Sequence, residues 1–184
     1  MVTGAAGHLG NIAVRALVAE GVGVRALVHR QRRSLEGVLC EQLTCNVRDA
    51  TAVQRAIAGA TGVIHLAARI SLSAHDADDM MAVNVEGTRN VIAACRAEHA
   101  RLLHVSSIHA LDPRPLDRAK ATAPFAVGWA RLRSSTPLYT SATLGHYAAV
   151  DGSHARDTLG WAPRPLEETL ADTVAWWRSE LVKS

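Results

Sequence analysis

The sequence predicts a doubly wound parallel α/β sheet followed by a small C-terminal helical segment. Two observations carry this. Over the first hundred residues short apolar runs alternate with helical patterns, which implies crossover units and a parallel sheet. The run at residues 63–66 is continuously apolar, suited to a strand covered on both faces. Right-handed crossovers then wind the sheet twice. Residues 1–110 form the sheet domain, and residues 111–184 form a shortened C-terminal segment expected to pack on it.

Met1 to Thr3 is a stub of strand. Residues 9–20 read as a helix with Ile12, Ala13, Ala16 and Leu17 on one face. Residues 22–28 are a second strand and residues 43–45 a weaker third. Asp49 is placed to cap a helix running through Ile57 by accepting from its free N–H groups. The fourth strand is the run at 63–66, followed by a long helix over 78–97 with Met81, Val85 and Ile92 as apolar markers. Residues 102–105 are the fifth strand. Beyond Ser107 the pattern breaks: 112–115 holds two prolines and reads as loop, 120–137 has no clean period, and 141–149 reads as a short helix. A helix over 153–159 is closed by Gly160. In the last helix Pro165 suits the first turn, Glu167 and Glu168 favour its positive end, and Leu166, Leu170, Val174, Trp177 and Leu181 share one stripe.

Composition narrows the function. The chain has 184 residues, 48% apolar and 20% charged, which excludes a disordered or fibrous protein. No apolar run approaches the ~18 residues that a membrane span needs. The glycine loop begins at Gly4, so no signal peptide is expected. Aromatic residues are only 4%, which argues against an aromatic-lined binding module. Twenty Lys and Arg against seventeen Asp and Glu, a net +3, is too weak an excess to imply nucleic acid. Cys40, Cys45 and Cys95 form no C-x-x-C pair and fit a reduced, cytoplasmic setting. Nine histidines are scattered without ligand spacing, so no metal is expected.

The strongest signal is T-G-A-A-G-H-L-G at residues 3–10, standing at a strand end and opening a helix. Gly4 permits a tight turn, Gly7 removes a side chain that would block a pyrophosphate, and Gly10 lets the helix approach the sheet. The free N–H groups at the helix start then face phosphate charge. His8 and Leu9 sit among them, and His8 is placed either to line the nicotinamide side or to stand in solvent.

This spacing resembles the extended short-chain dehydrogenase/reductase family, which includes epimerases, dehydratases and hydroxysteroid or flavonol reductases. V-I-H-L-A-A (63–68) is similar to the family's fourth strand and following turn, N-V-E-G-T-R-N-V-I (84–92) to its next helix, L-L-H-V-S-S (102–107) to the strand carrying its serine, and residues 160–177 to its last helix. The resemblance implies a Rossmann-like fold with strand order 3-2-1-4-5 and a small C-terminal helical remnant, a bound NADP or NAD, and hydride transfer between nicotinamide and a carbinol or sugar-type small-molecule substrate. It places Leu66, Ala67, Ala68 and Asn84 beside the cofactor, and Asn46 and Val47 where the family often has an Asp contacting adenine. An acid about 20 residues past the glycine loop would bind the ribose hydroxyls of NAD. Here the second strand exits into His29, Arg30, Gln31, Arg32 and Arg33, so Arg30 is expected to meet the ribose phosphate of NADP; a solvated basic loop is the alternative.

By the same resemblance Ser107 is expected to orient the substrate oxygen, with a strand-end cap as the alternative, and Lys120, in L-D-R-A-K (116–120), to contact the cofactor ribose, with a solvated loop lysine as the alternative. The family's general acid/base is a tyrosine four residues before that lysine. Here Leu116 stands in its place, and leucine relays no proton. Tyr139 and Tyr147 are followed at that spacing by Thr143 and Asp151. A stretch that would carry the Tyr–Lys helix and much of the substrate pocket is absent, so the chain reads as an internally shortened member. Two functions stay open: an oxidoreductase or epimerase, and a non-catalytic NAD(P)-binding module that lost its base. His65 is expected to be a packed core imidazole, and Asp76, Asp78 and Asp79 a solvated helix start. An unpaired outer edge on the fifth strand invites cover by the C-terminal segment or by a second copy in a homodimer.

Overall fold

In the computed structural model, residues 1–71, 73–106 and 153–181 are described. Five strands, β1 (Val2–Thr3), β2 (Arg25–Val28), β3 (Glu41–Thr44), β4 (Gly62–His65) and β5 (Arg101–His104), form one parallel sheet in the order β3-β2-β1-β4-β5. This is the expected order. Val2 pairs with Ala26 on one side and Ile64 on the other, so β1 is the centre.

Alternate strand residues feed two cores on opposite faces, as the pleat requires. On one face Leu27 and Val63 pack with Val53 and Ile57 of α2 (Ala50–Ile57) and with Val91, Ala94 and Cys95 of α4 (Gly87–Ala97). On the other Val2, Ala26 and Val28 pack with Val14 of α1 (His8–Ala19) and with Leu35. Each fully buried Val or Leu stabilises by about 1.5–3 kcal/mol.

Asp49 does cap α2: its Oδ1 accepts from the Ala52 N–H at 2.9 Å. Asp49→Ala should therefore cost about 1 kcal/mol in urea unfolding. The face of α1 is the expected one in part: Leu17 packs on the core that holds Val14 and Ala13 is half-buried, but Gly10 and Val14 are the buried residues, while Ile12 is 54% exposed and Ala16 is also exposed. The helix expected over 78–97 is present over 77–97, as α3 (Ala77–Met81), a π-helical turn (Ala82–Glu86) and α4, with helical backbone at each junction. Its buried residues are Gly87, Val91, Ala94 and Cys95, while Met81 is exposed. A Cβ on Gly87 would lie 2.7 Å from Val47 Cγ2, so this glycine allows the helix its close approach.

Two further helices, α5 (Ser153–Leu159) and α6 (Leu166–Leu181), follow. Gly160 closes α5 at φ +62°. Pro165 stands one residue before α6 and its carbonyl accepts from the Thr169 N–H at 3.2 Å. Leu166, Leu170 and Val174 of the stripe are exposed, and the side chains of Trp177 and Leu181 lie outside those described. The loop at 112–115, the unassigned 120–137 and the helix at 141–149 also lie outside the described residues. No described helix is long and apolar enough to cross a membrane.

Candidate functional site

The C-terminal ends of β1, β2, β3 and β4 bring together most of the residues singled out in the sequence. β1 leads into Gly4, β2 into His29 and Arg30, β3 into Asn46 and Val47, and β4 into Leu66, Ala67 and Ala68. The crossover from β1 leaves toward β2 while β4 flanks its other side, so the glycine loop stands at the switch point of the sheet.

The glycines have separate jobs. Gly4 is at φ +64°, and a Cβ there would meet Ala67 N at 2.7 Å and Leu66 C at 2.8 Å. Gly7 N–H donates to the Gly4 carbonyl at 2.9 Å and closes the turn. Gly10 is the point of closest approach: its Cβ would lie 2.1 Å from Gly4 O. A Cβ on Gly7 would meet only Gly4 O, at 3.1 Å. That glycine opens outward and is exposed, with exposed His8 and Leu9 after it.

Gly7 is the N-cap of α1 and brings no capping side chain, and no acid lies in the first turn. The N–H groups of His8, Leu9 and Gly10 have no acceptor among the described residues. Three donors and the positive end of a twelve-residue helix thus converge where a side chain is missing. The loop is braced from behind. Ser34 Oγ donates to the Ala6 carbonyl at 2.9 Å, Arg15 donates to the Ser34 carbonyl at 2.8 Å, and Asn11 Nδ2 donates to the Gly7 carbonyl at 2.8 Å.

Beside this loop lies a basic corner. His29, Arg30, Arg32 and Arg33 are exposed. Arg32 donates to Thr44 Oγ1 at 2.6 Å, while Arg30 has no hydrogen-bonding or ionic partner among the described residues. Asn46 is exposed and its Oδ1 accepts from the Arg48 N–H at 3.1 Å. Val47 is buried at 8% exposure, and its carbonyl accepts from Asn90 Nδ2 at 2.9 Å.

Between the glycine loop and α4 sits His65, 1% exposed. Its Nδ1 is 2.6 Å from Thr3 Oγ1, and its Nε2 is 3.0 Å from Thr88 Oγ1. Thr3 Oγ1 also accepts from the N–H groups of Leu66 and Ala67, each at 3.2 Å. Thr88 Oγ1 donates to the Asn84 carbonyl at 2.7 Å. The Asn84 side chain accepts from Arg69 N–H at 2.8 Å and donates to Arg69 O at 2.9 Å. Burial, and then the His104 ring stacked 5.4 Å away, push the His65 imidazole down to about 4.

Asp76 and Asp79 pair with arginines: Arg69 bridges both, and Arg48 donates to Asp79 at 2.8 Å. Among the described residues no three His, Cys, Asp or Glu gather as a metal site. Ser107 and Lys120 lie outside the described residues, as does Leu116; the described chain stops one residue short of the serine. Sequence reasoning missed Thr3, Ser34 and Thr88 as parts of the site. Thr3 and Thr88 each stand inside a quoted motif; for Thr3 the available signal is a hydroxyl at the end of a buried strand, and Thr88, on α4, carries none.

A family model, the NAD dependent epimerase/dehydratase family, matches residues 1–129. Sterol demethylase protein B of Methylococcus capsulatus is 39% identical over 118 residues, 62% of this chain and 36% of that protein. The ceramide reductase of Caulobacter vibrioides is 34% identical over 164 residues, 86% of this chain and 48% of that protein. A short-chain dehydrogenase/reductase superfamily protein of Agrobacterium tumefaciens, solved with bound NAD, superposes at a TM-score of 0.53 with 38% identity, over 58% of this chain and 31% of that one. The chain therefore spans less than half the length of these relatives.

Proposed function

The chain belongs to the NAD dependent epimerase/dehydratase family, and from that premise we propose that it binds NAD(P) and serves hydride transfer to or from a small carbonyl or carbinol substrate. The observation that carries the reading is the start of α1: three N–H groups without acceptors among the described residues, at a helix whose N-cap, Gly7, brings no side chain. A diphosphate fits this cradle in charge and in shape. The bound nicotinamide supplies or accepts the hydride.

The chain's own residues do the rest. The amides of His8, Leu9 and Gly10 hold the diphosphate, Leu66, Ala67 and Ala68 form one wall, and Asn84 fixes that wall through Arg69. Arg30 meets a ribose phosphate, which favours NADP over NAD. The exposed Asn46 lies toward the adenine end, with Val47 supporting it from the core. Ser107 holds the substrate oxygen and Lys120 a cofactor ribose, as the family resemblance implies. The names of two relatives, a ceramide reductase and sterol demethylase protein B, support a lipophilic carbonyl compound over a sugar nucleotide. Three free cysteines support a reducing, cytoplasmic setting. The outer edge of β5 pairs with no strand among the described residues, which supports cover by residues 111–184 or by a second copy in a homodimer.

NADPH fluorescence titration tests the reading. Saturable binding is expected, tighter for NADPH than for NADH. Arg30→Ala should lose about tenfold for NADPH, the worth of one charge-assisted hydrogen bond, and leave NADH unchanged. Equal affinities in wild type and no response to Arg30→Ala would refute the NADP preference; no binding of either cofactor would refute the function. A second reading, a non-catalytic NAD(P)-binding module, is favoured by Leu116 at the position where the family has its tyrosine. Cofactor binding without oxidation of NADPH by any ketone or sugar nucleotide would select it.

A further inference from the structure

We propose that His65 is a positioning residue: a one-way hydrogen-bond relay, Thr3 to His65 to Thr88 to Asn84, locks residues 66–69 as the wall against which the dinucleotide rests. The wall's role rests on the functional reading above; the relay itself rests on donor and acceptor counting.

A threonine hydroxyl has one proton and two lone pairs. Thr3 Oγ1 accepts from both Leu66 N–H and Ala67 N–H, which fills its lone pairs. Its proton therefore goes to His65 Nδ1. His65 then carries its own proton on Nε2 and donates it to Thr88 Oγ1. Thr88 passes its proton to the Asn84 carbonyl, and the Asn84 amide clasps both main-chain groups of Arg69. From Thr3 to the Asn84 carbonyl every donor meets one acceptor and the three links run the same way; the Asn84 side chain then both accepts from and donates to Arg69.

The two ends of the relay grip the same loop. Thr3 holds its start, at Leu66 and Ala67, and Asn84 holds Arg69. The π-helical turn contributes, because it contains Asn84 and ends at the close Gly87–Val47 contact, one residue before Thr88. Such turns recur inside helices at functional sites. A buried imidazole packed only for volume needs neither two hydroxyl partners nor a fixed tautomer. His65 has both, in a buried layer where an unpaired polar atom is costly.

Thr88→Val keeps the shape and removes the acceptor; Thr88→Ser restores it. Amide hydrogen exchange should quicken at least tenfold at Arg69 in Thr88→Val, with α2 and β2 unchanged, and return in Thr88→Ser. NADPH affinity should fall five- to tenfold and recover in the same order. Nitrogen-15 spectra of His65 should show a bare Nδ1 and a protonated Nε2. A proton on Nδ1, or wild-type exchange at Arg69 in Thr88→Val, would overturn the relay. Faster exchange with unchanged NADPH affinity would overturn its role as the cofactor's wall. Should wild type bind no dinucleotide, the functional reading falls, and exchange together with the tautomer still decides the relay.

Discussion

Gly10→Ala should unfold the protein or destabilise it by more than about 3 kcal/mol, whereas Gly7→Asp should leave the fold intact and abolish dinucleotide binding. The two glycines lie three residues apart in one loop, and their surroundings differ in kind. A Cβ on Gly10 would sit 2.1 Å from Gly4 O and 2.8 Å from Ala5 Cα. Both are main-chain atoms, so no side chain can swing aside; α1 would have to lift off the loop. At Gly7 the backbone is at φ −75° and ψ 176°, open to any residue, and a Cβ would need only a slight shift of Gly4 O at 3.1 Å. Aspartate there is also a good N-cap, and it would offer its carboxylate to the free amides of α1. Melting of the cofactor-free protein should therefore be unchanged or raised in Gly7→Asp. NADPH titration should show at least a hundredfold loss, since the carboxylate takes the site and repels the diphosphate. A stable Gly10→Ala protein, or undiminished binding by Gly7→Asp, would remove the basis for assigning these glycines different roles.

Acid should weaken the fold before the carboxylates titrate. The His65 imidazole is held at about 4, against 6.5 for a free side chain, so its folded form refuses a proton that its unfolded form accepts. Above pH 6.5 both forms are neutral and the group contributes nothing to the pH dependence. Between 6.5 and 4 the unfolded chain binds the proton and is stabilised by it, so folding stability falls as pH falls. From pH 7 to pH 5 the loss should be on the order of 1–2 kcal/mol, read from urea unfolding at each pH. The groups facing the ring are Thr3, Thr88 and the stacked His104. Asp76, lowered first by the Ser71 hydroxyl and then by Arg69, loses its contribution only below this window. His65→Gln should be less stable at pH 7 and should lack the slope. The same slope in that variant would assign the effect to another group.

Strand number was legible because apolar runs alternating with helical patterns report directly on a parallel sheet, and strand order because the glycine loop and the later motifs resemble one family. The cap at Asp49 was legible because capping needs only neighbours in sequence. What could not be read involved glycine or distant hydroxyls. Of the α1 face expected along Ile12, Ala13, Ala16 and Leu17, only Ala13 and Leu17 turn toward the core. Periodicity counts side chains. Yet Gly10 makes the tightest contact on that helix, and it does so by having none. The π-helical turn inside the long helix lies where Asn84 is tied to the Arg69 backbone and Gly87 meets Val47, both tertiary constraints with no local sequence signature. His65 was legible as a packed imidazole, and it is buried. Its partners Thr3 and Thr88 lie 62 and 23 residues away and carry no mark of that pairing.

The central position of β1 has a consequence for how the chain is made. Thr3 meets His65 across 62 residues, so one flank of the innermost strand stays open until β4 leaves the ribosome. At 5–20 residues per second that interval is roughly 3–12 s. During it the nascent sheet exposes the inner edge of β1, where unpaired backbone groups can template strand pairing with another chain. A trigger-type holdase, or slow dilution on refolding, should raise the yield of the protein by shielding that interval.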